Sequence, residues 1–247
     1  MTTNSLFEKA SHFDGVTPKI IGNGMVARAF ANGLRLNSNL VIFASGVSNS
    51  NCKSQEQFER ERSLLLNTIE ETSQTVPFLY FGTCSIYDPD ALAKAYVVHK
   101  REMEKLVLSH PAGCVIRLPQ LAGPNAPPNT LLSVLVSKIK AGEEVEVWSN
   151  AVRNIIDIDD VVKIVDTLLI KGLANNRVIN VANPLSIKVA DLINVIESAL
   201  HLVARVVLTP KGARYEIDTE AMLAAAESAK VHFGKDYLFK TIAKYYS

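Results

Sequence analysis

"PKIIGNGMVARAF", residues 18–30, decides the architecture of this 247-residue chain. The apolar run PKII breaks at Gly22, and the helical pattern MVARAFANGL (25–34) follows at once. Two glycines stand as Gly22-x-Gly24, with the small Ala27 three positions on. Between a strand and a helix this pattern has a defined chemical use. Gly22 permits a tight turn, Gly24 lets a pyrophosphate approach the backbone at the helix N-terminus, and Ala27 lets the helix lie close on the strand. Gly22, Asn23, Gly24 and Met25 are therefore candidate dinucleotide-binding residues.

Outward from this turn the same rhythm repeats. NLVIFASG (39–46) reads as a buried strand, and SQEQFERERSLLLNTIEETS (54–73) as a charged helix. PFLYFGTCS (77–85) is a strand, 91–108 a helix, and GCVIRLPQ (113–120) a strand running into LAGPNAPPNT. Such alternation predicts βαβ units and a parallel sheet, with right-handed crossovers placing helices on both faces. Beyond residue 121 the rhythm loosens into a helix (TLLSVLVSKIKAG), a short strand (EEVEVW) and further strand–helix pairs in RNIIDIDDVVKIVDTLL and RVINVAN…IKVADLINVIESAL. Asp160 reads as a helix cap. The expected class is α/β: a Rossmann-type doubly wound parallel sheet with a smaller C-terminal substrate lobe. The nucleotide-binding core spans 1–120 and about 150–182, the lobe about 121–149 and 183–247, as one integrated unit.

One expected feature is missing. Such folds place an acidic residue about 20 positions on, at the end of a second strand, for the adenosine ribose. Here the first helix ends near Asn37 and the chain runs straight into LVIFASG. Arg28 and Arg35 are the nearby charges; they read either as contacts to a 2′-phosphate or as solvated surface arginines.

Composition excludes several classes of partner. Apolar residues make up 48% and charged residues 21%, with a net charge of +1, so a sizeable core is expected and a nucleic-acid backbone is not. No apolar stretch approaches the ~20 residues of a membrane span, and MTTNSLFEKASHFDG lacks the pattern of a secretory signal. Three dispersed cysteines and the absence of a Cys/His cluster argue against disulfides and a metal site. His99, His110 and His232 read as surface or packing residues. A cytoplasmic location is expected.

Tyr96 and Lys100, in YVVHK, stand four apart and so share one helix face. A nearby ammonium favours a phenolate, lowering the tyrosine pKa and making Tyr96 a usable acid/base. With seven tyrosines in the chain this spacing alone decides little. Its position adds weight, because the preceding strand delivers Thr83 and Ser85 to the carboxyl edge of the sheet, where open α/β sheets bind ligands. Here the sequence resembles the extended short-chain dehydrogenase/reductase family, the nucleotide-sugar epimerases, dehydratases and reductases. TCSIY matches the family's strand-end hydroxyl with Thr83, and YVVHK its Tyr-x-x-x-Lys helix. VIRLPQLAGP (115–124) is similar to the family's Arg-x-x-Asn-x-x-Gly-Pro strand, with Gln120 in the asparagine place. AGEEVEVWSNAVRNIIDIDDV and INVANPLSIKVADLINVI resemble its following segments.

The resemblance implies roles. Thr83, Tyr96 and Lys100 would be catalytic, with Lys100 also hydrogen-bonding the nicotinamide ribose. Ala44, Ser45, Gly46 and Leu118 would border the cofactor, NAD or NADP. Ser85, Gln120 and Arg153 would meet the substrate, a nucleotide-linked sugar, with Arg153 on its diphosphate. A homodimer is implied, paired through helices such as 54–73 and 91–108. There are departures: GxGxxA replaces the family's GxxGxxG, the second and third strands appear deleted, and Thr83 and Tyr96 are only 13 positions apart. Cys84 and Ser85 occupy the places of a dehydratase's Asp-Glu pair, which points to an epimerase or 4-ketoreductase of polysaccharide precursor synthesis. The alternative is a degenerate, non-catalytic dinucleotide-binding sensor or scaffold of the same fold.

Overall fold

The computed structural model describes residues 17–36, 38–174 and 176–247. The N-terminal fifteen residues, read above as no secretory signal, and Asn37 lie outside them. Strand β1 (Lys19–Ile21) enters the glycine turn and helix α1 (Met25–Gly33) leaves it. Then follow β2 (Val41–Phe43), α2 (Gln55–Glu71), β3 (Phe78–Thr83), α3 (Ala95–Leu108) and β4 (Gly113–Leu118). The remaining elements are β5 (Gln120–Ala122), α4 (Leu131–Lys140), β6 (Glu144–Trp148), β7 (Val152–Arg153), β8 (Ile155–Asp157) and α5 (Ile158–Ile170). Last come β9 (Val178–Asn180), β10 (Ile187–Lys188), α6 (Val189–Leu200), β11 (Arg205–Thr209), α7 (Glu220–Ser228) and α8 (Tyr237–Tyr246).

The central sheet runs β1-β2-β3-β4-β9, every pair parallel. Successive side chains of a strand face opposite ways, and here both faces are apolar. Ile42, Leu79 and Ile116 join Phe30 of α1 and Val161 and Val165 of α5 on one side. Val41, Phe43, Phe78, Tyr80 and Val115 meet Leu65 of α2 and Met103 and Val107 of α3 on the other. Continuous apolar strands are what a sheet covered by helices on both faces requires. The doubly wound α/β arrangement read from the sequence is the one observed.

β1 pairs with β2 alone, so among the described residues it is the edge of the sheet. Among the described residues no strand lies beyond it, and α1 is followed directly by β2. Other boundaries shift for local reasons. The run 113–120 breaks at Pro119, which lacks an N–H, and β5 pairs instead with β8. The run 77–85 stops at Thr83, where the chain enters a single 3₁₀ turn, Cys84–Tyr87. Turns at Ala91 and Lys94 occupy the segment before α3, so that helix starts at Ala95 rather than 91.

A second apolar cluster joins α4, β6, α6 and α8 through Leu132, Val147, Ile196 and Ile242. Helix α7 packs its Met222, Ala225 and Ala226 on the first cluster, beside α5 and β9. Among the described residues no helix is long and apolar enough to cross a membrane.

The cap of α5 is Asp157, not Asp160. The Asp157 carboxylate accepts from the Asp159 N–H at 2.9 Å, and from Lys244 Nζ (2.9 Å) and Tyr245 OH (2.7 Å) of α8. Asp160 instead accepts from Lys163 and from Tyr237 OH. Sequence favours Asp160 only by proximity; the turn after β8 fixes the cap three residues earlier. Asp157→Ala should therefore cost about 2 kcal/mol, from a lost cap and the lost contacts to Lys244 and Tyr245 of α8. Asp160→Ala should cost less than half of that, and urea unfolding of the two variants measures the difference.

Candidate active site

Because all five strands run parallel, their carboxyl ends share one edge. Gly22 adopts φ +127°, and a Cβ there would lie 2.4 Å from the Ala44 carbonyl oxygen. Only glycine can hold that turn against the end of β2. Gly24 caps α1 without a side-chain hydrogen bond, the first turn has no acidic residue, and a Cβ at Gly24 would meet nothing within 4 Å. A helix N-terminus with free N–H groups and open space before it suits a diphosphate. The turn thus fits the pyrophosphate of a dinucleotide. Asn23 is exposed, and its carbonyl accepts from Arg28 Nε at 2.7 Å. Half-buried Met25 packs on the core and against Gly123.

The adenosine side is different. Arg35 donates to Asp166 at 2.8 Å, and Asp166 is buried, so this arginine is already engaged. A cation does stand at the end of β2: Arg60 of α2 donates to the Ser45 carbonyl (3.1 Å) and lies 3.4 Å from its hydroxyl. The sequence gives no signal for this contact.

Thr83 ends β3, buried, and its hydroxyl accepts from the Ser85 N–H at 3.1 Å. Tyr96, in the first turn of α3, is 7% exposed and packs with Val47, Cys52, Ala91 and Val97. The pKa of Tyr96 is raised, not lowered as its spacing from Lys100 suggests. Burial is the largest cause and Glu61 adds to it; the Lys100 ammonium and the neighbouring Thr83 hydroxyl pull the other way without prevailing. Spacing reports the neighbour, whereas the sign depends on burial and on a third charge.

That third charge is Glu61, fully buried on α2. Its carboxylate accepts from Val47 N–H (2.6 Å), Tyr80 OH (2.7 Å), Lys100 Nζ (3.0 Å) and faces His99 Nε2 (3.0 Å). Burial opposes its ionisation, yet Lys100 and these hydrogen bonds hold its pKa down at about 2. Lys100 also donates to Tyr80 OH (2.9 Å) and the Phe81 carbonyl (3.3 Å). An ammonium has three N–H donors, and here all three have acceptors within the protein. His99, read as surface or packing, is buried and stacks on Phe58 at 4.6 Å. A signal for Glu61 does exist in the sequence: it falls on the buried stripe Phe58, Leu65, Thr68 of α2, where a charge demands a partner.

The other named residues spread along the same edge. Gly46 sits so close to the ion pair that a Cβ would lie 2.5 Å from Lys100 Nζ. The Leu118 side chain is buried in the first core cluster, leaving only its backbone for a ligand. Ser85 is half-buried in the 3₁₀ turn, and Gln120 opens β5 with its N–H on the Asn154 carbonyl. Arg153, largely buried, lies 3.7 Å from Asp88. Tyr215 stands near this pair, its pKa raised chiefly by burial with Arg153 opposing. Neither Asp88 nor Tyr215 is marked by any local motif. Among the described residues no group of three potential metal ligands occurs.

The sequence matches the model of the NAD dependent epimerase/dehydratase family over residues 26–182. No curated protein matches by sequence. Solved structures share the fold at low identity. A dTDP-4-dehydrorhamnose reductase from Clostridium acetobutylicum superposes with TM-score 0.73 at 15% identity, covering 93% of this chain and 98% of that one. RMD from Pseudomonas aeruginosa, complexed with NADPH, gives 0.69 at 14% over 93% and 99%. A UDP-glucuronic acid 4-epimerase from Bacillus cereus, in complex with UDP-glucuronic acid and NAD, gives 0.65 at 16% over 83% and 76%. Matched over more than half its length and folded around a glycine turn and a Thr/Tyr/Lys edge, the chain belongs to the NAD dependent epimerase/dehydratase family.

Proposed function

We propose that the chain transfers hydride between NAD or NADP and a nucleotide-linked sugar, as a 4-ketoreductase or an epimerase, in polysaccharide precursor synthesis. The observation that carries this reading is that Thr83, at the carboxyl end of β3, neighbours Tyr96 in the first turn of α3, on the sheet edge that also carries a glycine turn fit for a diphosphate. Three structural relatives support it: a dTDP-4-dehydrorhamnose reductase, RMD complexed with NADPH, and a UDP-glucuronic acid 4-epimerase complexed with UDP-glucuronic acid and NAD. A homodimer paired through α2 and α3 belongs to the same reading; a surface cleft of about 260 Å³ runs along the seam of those two helices, lined by Phe58, Arg62, Val98 and Glu102.

The cofactor, when bound, supplies or accepts the hydride. The work of the chain is positional. Gly22 and Gly24 clear the path for the diphosphate at the N-terminus of α1, and Ala44, Ser45 and Gly46 wall the next strand end. The Thr83 hydroxyl and the Tyr96 phenol hold the sugar oxygen between them. Tyr96 gives its proton to that oxygen in reduction and recovers it in oxidation. Arg153 meets the substrate's diphosphate, with Asp88 holding it in place. Dehydration has no support, since Cys84 is a buried thiol with its pKa pushed up, chiefly by burial, and so offers no base.

A second reading, a nucleotide-binding sensor or scaffold without turnover, is favoured by one observation: Lys100 has no free donor for a ribose. Turnover separates the two. NADPH or NADH fluorescence should change on mixing with the protein, and a nucleotide-linked 4-keto sugar should then consume the reduced cofactor. Tyr96→Phe should keep the fluorescence change and lose roughly 10²–10⁴-fold in turnover; a sensor shows no turnover in either protein.

The glycines give an independent check. Gly24→Ala should leave the melting temperature within a few degrees while weakening reduced-cofactor binding ~10-fold or more, because only a ligand occupies its space. Gly22→Ala should destabilise the fold by about 2 kcal/mol or more, through its backbone clash and positive φ.

A further inference from the structure

The buried group that the hydride-transfer mechanism leaves unused is Glu61. Four donors converge on its carboxylate from three separate elements: the Val47 N–H after β2, Tyr80 of β3, and His99 and Lys100 of α3. It is wholly buried, and the Lys100 side chain it grips is 4% exposed. Burying two charges costs several kcal/mol per ion before their attraction is counted, so a fold with apolar alternatives has no need of this pair for stability. Its location supplies another use. The pair lies directly beneath Gly46, whose missing side chain is the space it fills. One helical turn away on α3 is Tyr96.

We propose that Glu61 is a positioning residue of this site: its carboxylate fixes Lys100 beneath Gly46 and cancels the ammonium charge, so that Tyr96 meets its ligand as a phenol, a proton donor. This rests on Tyr96 being the proton-transferring group. A lone ammonium one turn away stabilises a phenolate, whereas an ammonium paired at 3.0 Å presents a dipole whose field falls off much faster. Of the other groups facing Tyr96, the Thr83 hydroxyl also favours the phenolate and Cys84 opposes it, both from the end of β3, while Tyr80 comes from the strand interior. His99 turns its Nε2 on Glu61. The arrangement thus sets the resting site for protonating an oxygen, the direction in which a carbonyl is reduced.

The test reads Tyr96 ionisation directly and needs neither cofactor nor substrate, so it stands even if no turnover is found. The protein is labelled with ¹³Cζ-tyrosine, the Tyr96 resonance is assigned by its loss in Tyr96→Phe, and its shift is followed with rising pH. Glu61→Gln keeps the shape and frees the ammonium charge. Tyr96 should then titrate at least about one pH unit lower, tenfold in its ionisation constant. A folded Glu61→Gln protein whose Tyr96 titrates where it does in the natural chain, or higher, overturns the proposal. Should the single variant fail to fold around an unpaired lysine, Glu61→Gln/Lys100→Met removes both charges at similar volume. Cancellation requires Tyr96 of this double variant to titrate within about half a unit of the natural protein. A displacement of one unit or more shows that the pair did not cancel and overturns the proposal.

Discussion

A carboxylate and an ammonium meet at 3.0 Å inside this protein, and the ligand edge of the fold is arranged around them. Glu61 reaches them from α2, Lys100 from α3, Tyr80 from the sheet, and Gly46 leaves the room they occupy. An unpaired charge in such a place is not tolerated, so each partner dictates where the other's helix must lie. The segment 44–47 is tied into the same knot through the Val47 N–H. Elements that would otherwise meet only through non-directional apolar contact are thereby held at one angle and one height.

The pattern recurs one turn further along α3. Glu104 accepts from Arg117 at 2.6 Å, under Gly82, whose Cβ would strike the same carboxylate. Arg117 continues to Tyr87 and so to Asn180 of β9. Two glycines therefore admit two ion pairs on α3, one to α2 and one to β4 of the sheet. Alanine at either position would drive a side chain into a charge that has nowhere else to go.

What could be read from the sequence was what depends on neighbours in the chain. The glycine turn, the alternation of strand and helix, and the Tyr96/Lys100 spacing are all local, and each is found where the spacing puts it. The Glu61–Lys100 contact joins residues 39 apart, and Tyr215 comes to Arg153 from still further off, so no periodicity announces either. The sign of the Tyr96 shift escapes the sequence for the same reason: the spacing shows the lysine but not the carboxylate behind it, nor the burial that dominates both. Asp157 against Asp160 is a subtler case. Both sit at the start of α5, and only the exit geometry of β8 chooses between them. The position of β1 beside β2, by contrast, is local, because the chain runs from α1 straight into β2.

Among the described residues β1 is a border with unpaired backbone groups, the kind of rim on which chains stick to one another. The border is only three residues long, and it opens with exposed Lys19, which faces Glu71 at 3.5 Å. So short a rim, guarded by a charge that resists dehydration, gives a stray strand almost nothing to zip onto. A sheet can in this way end on a bare strand without turning the protein into a seed for clumping.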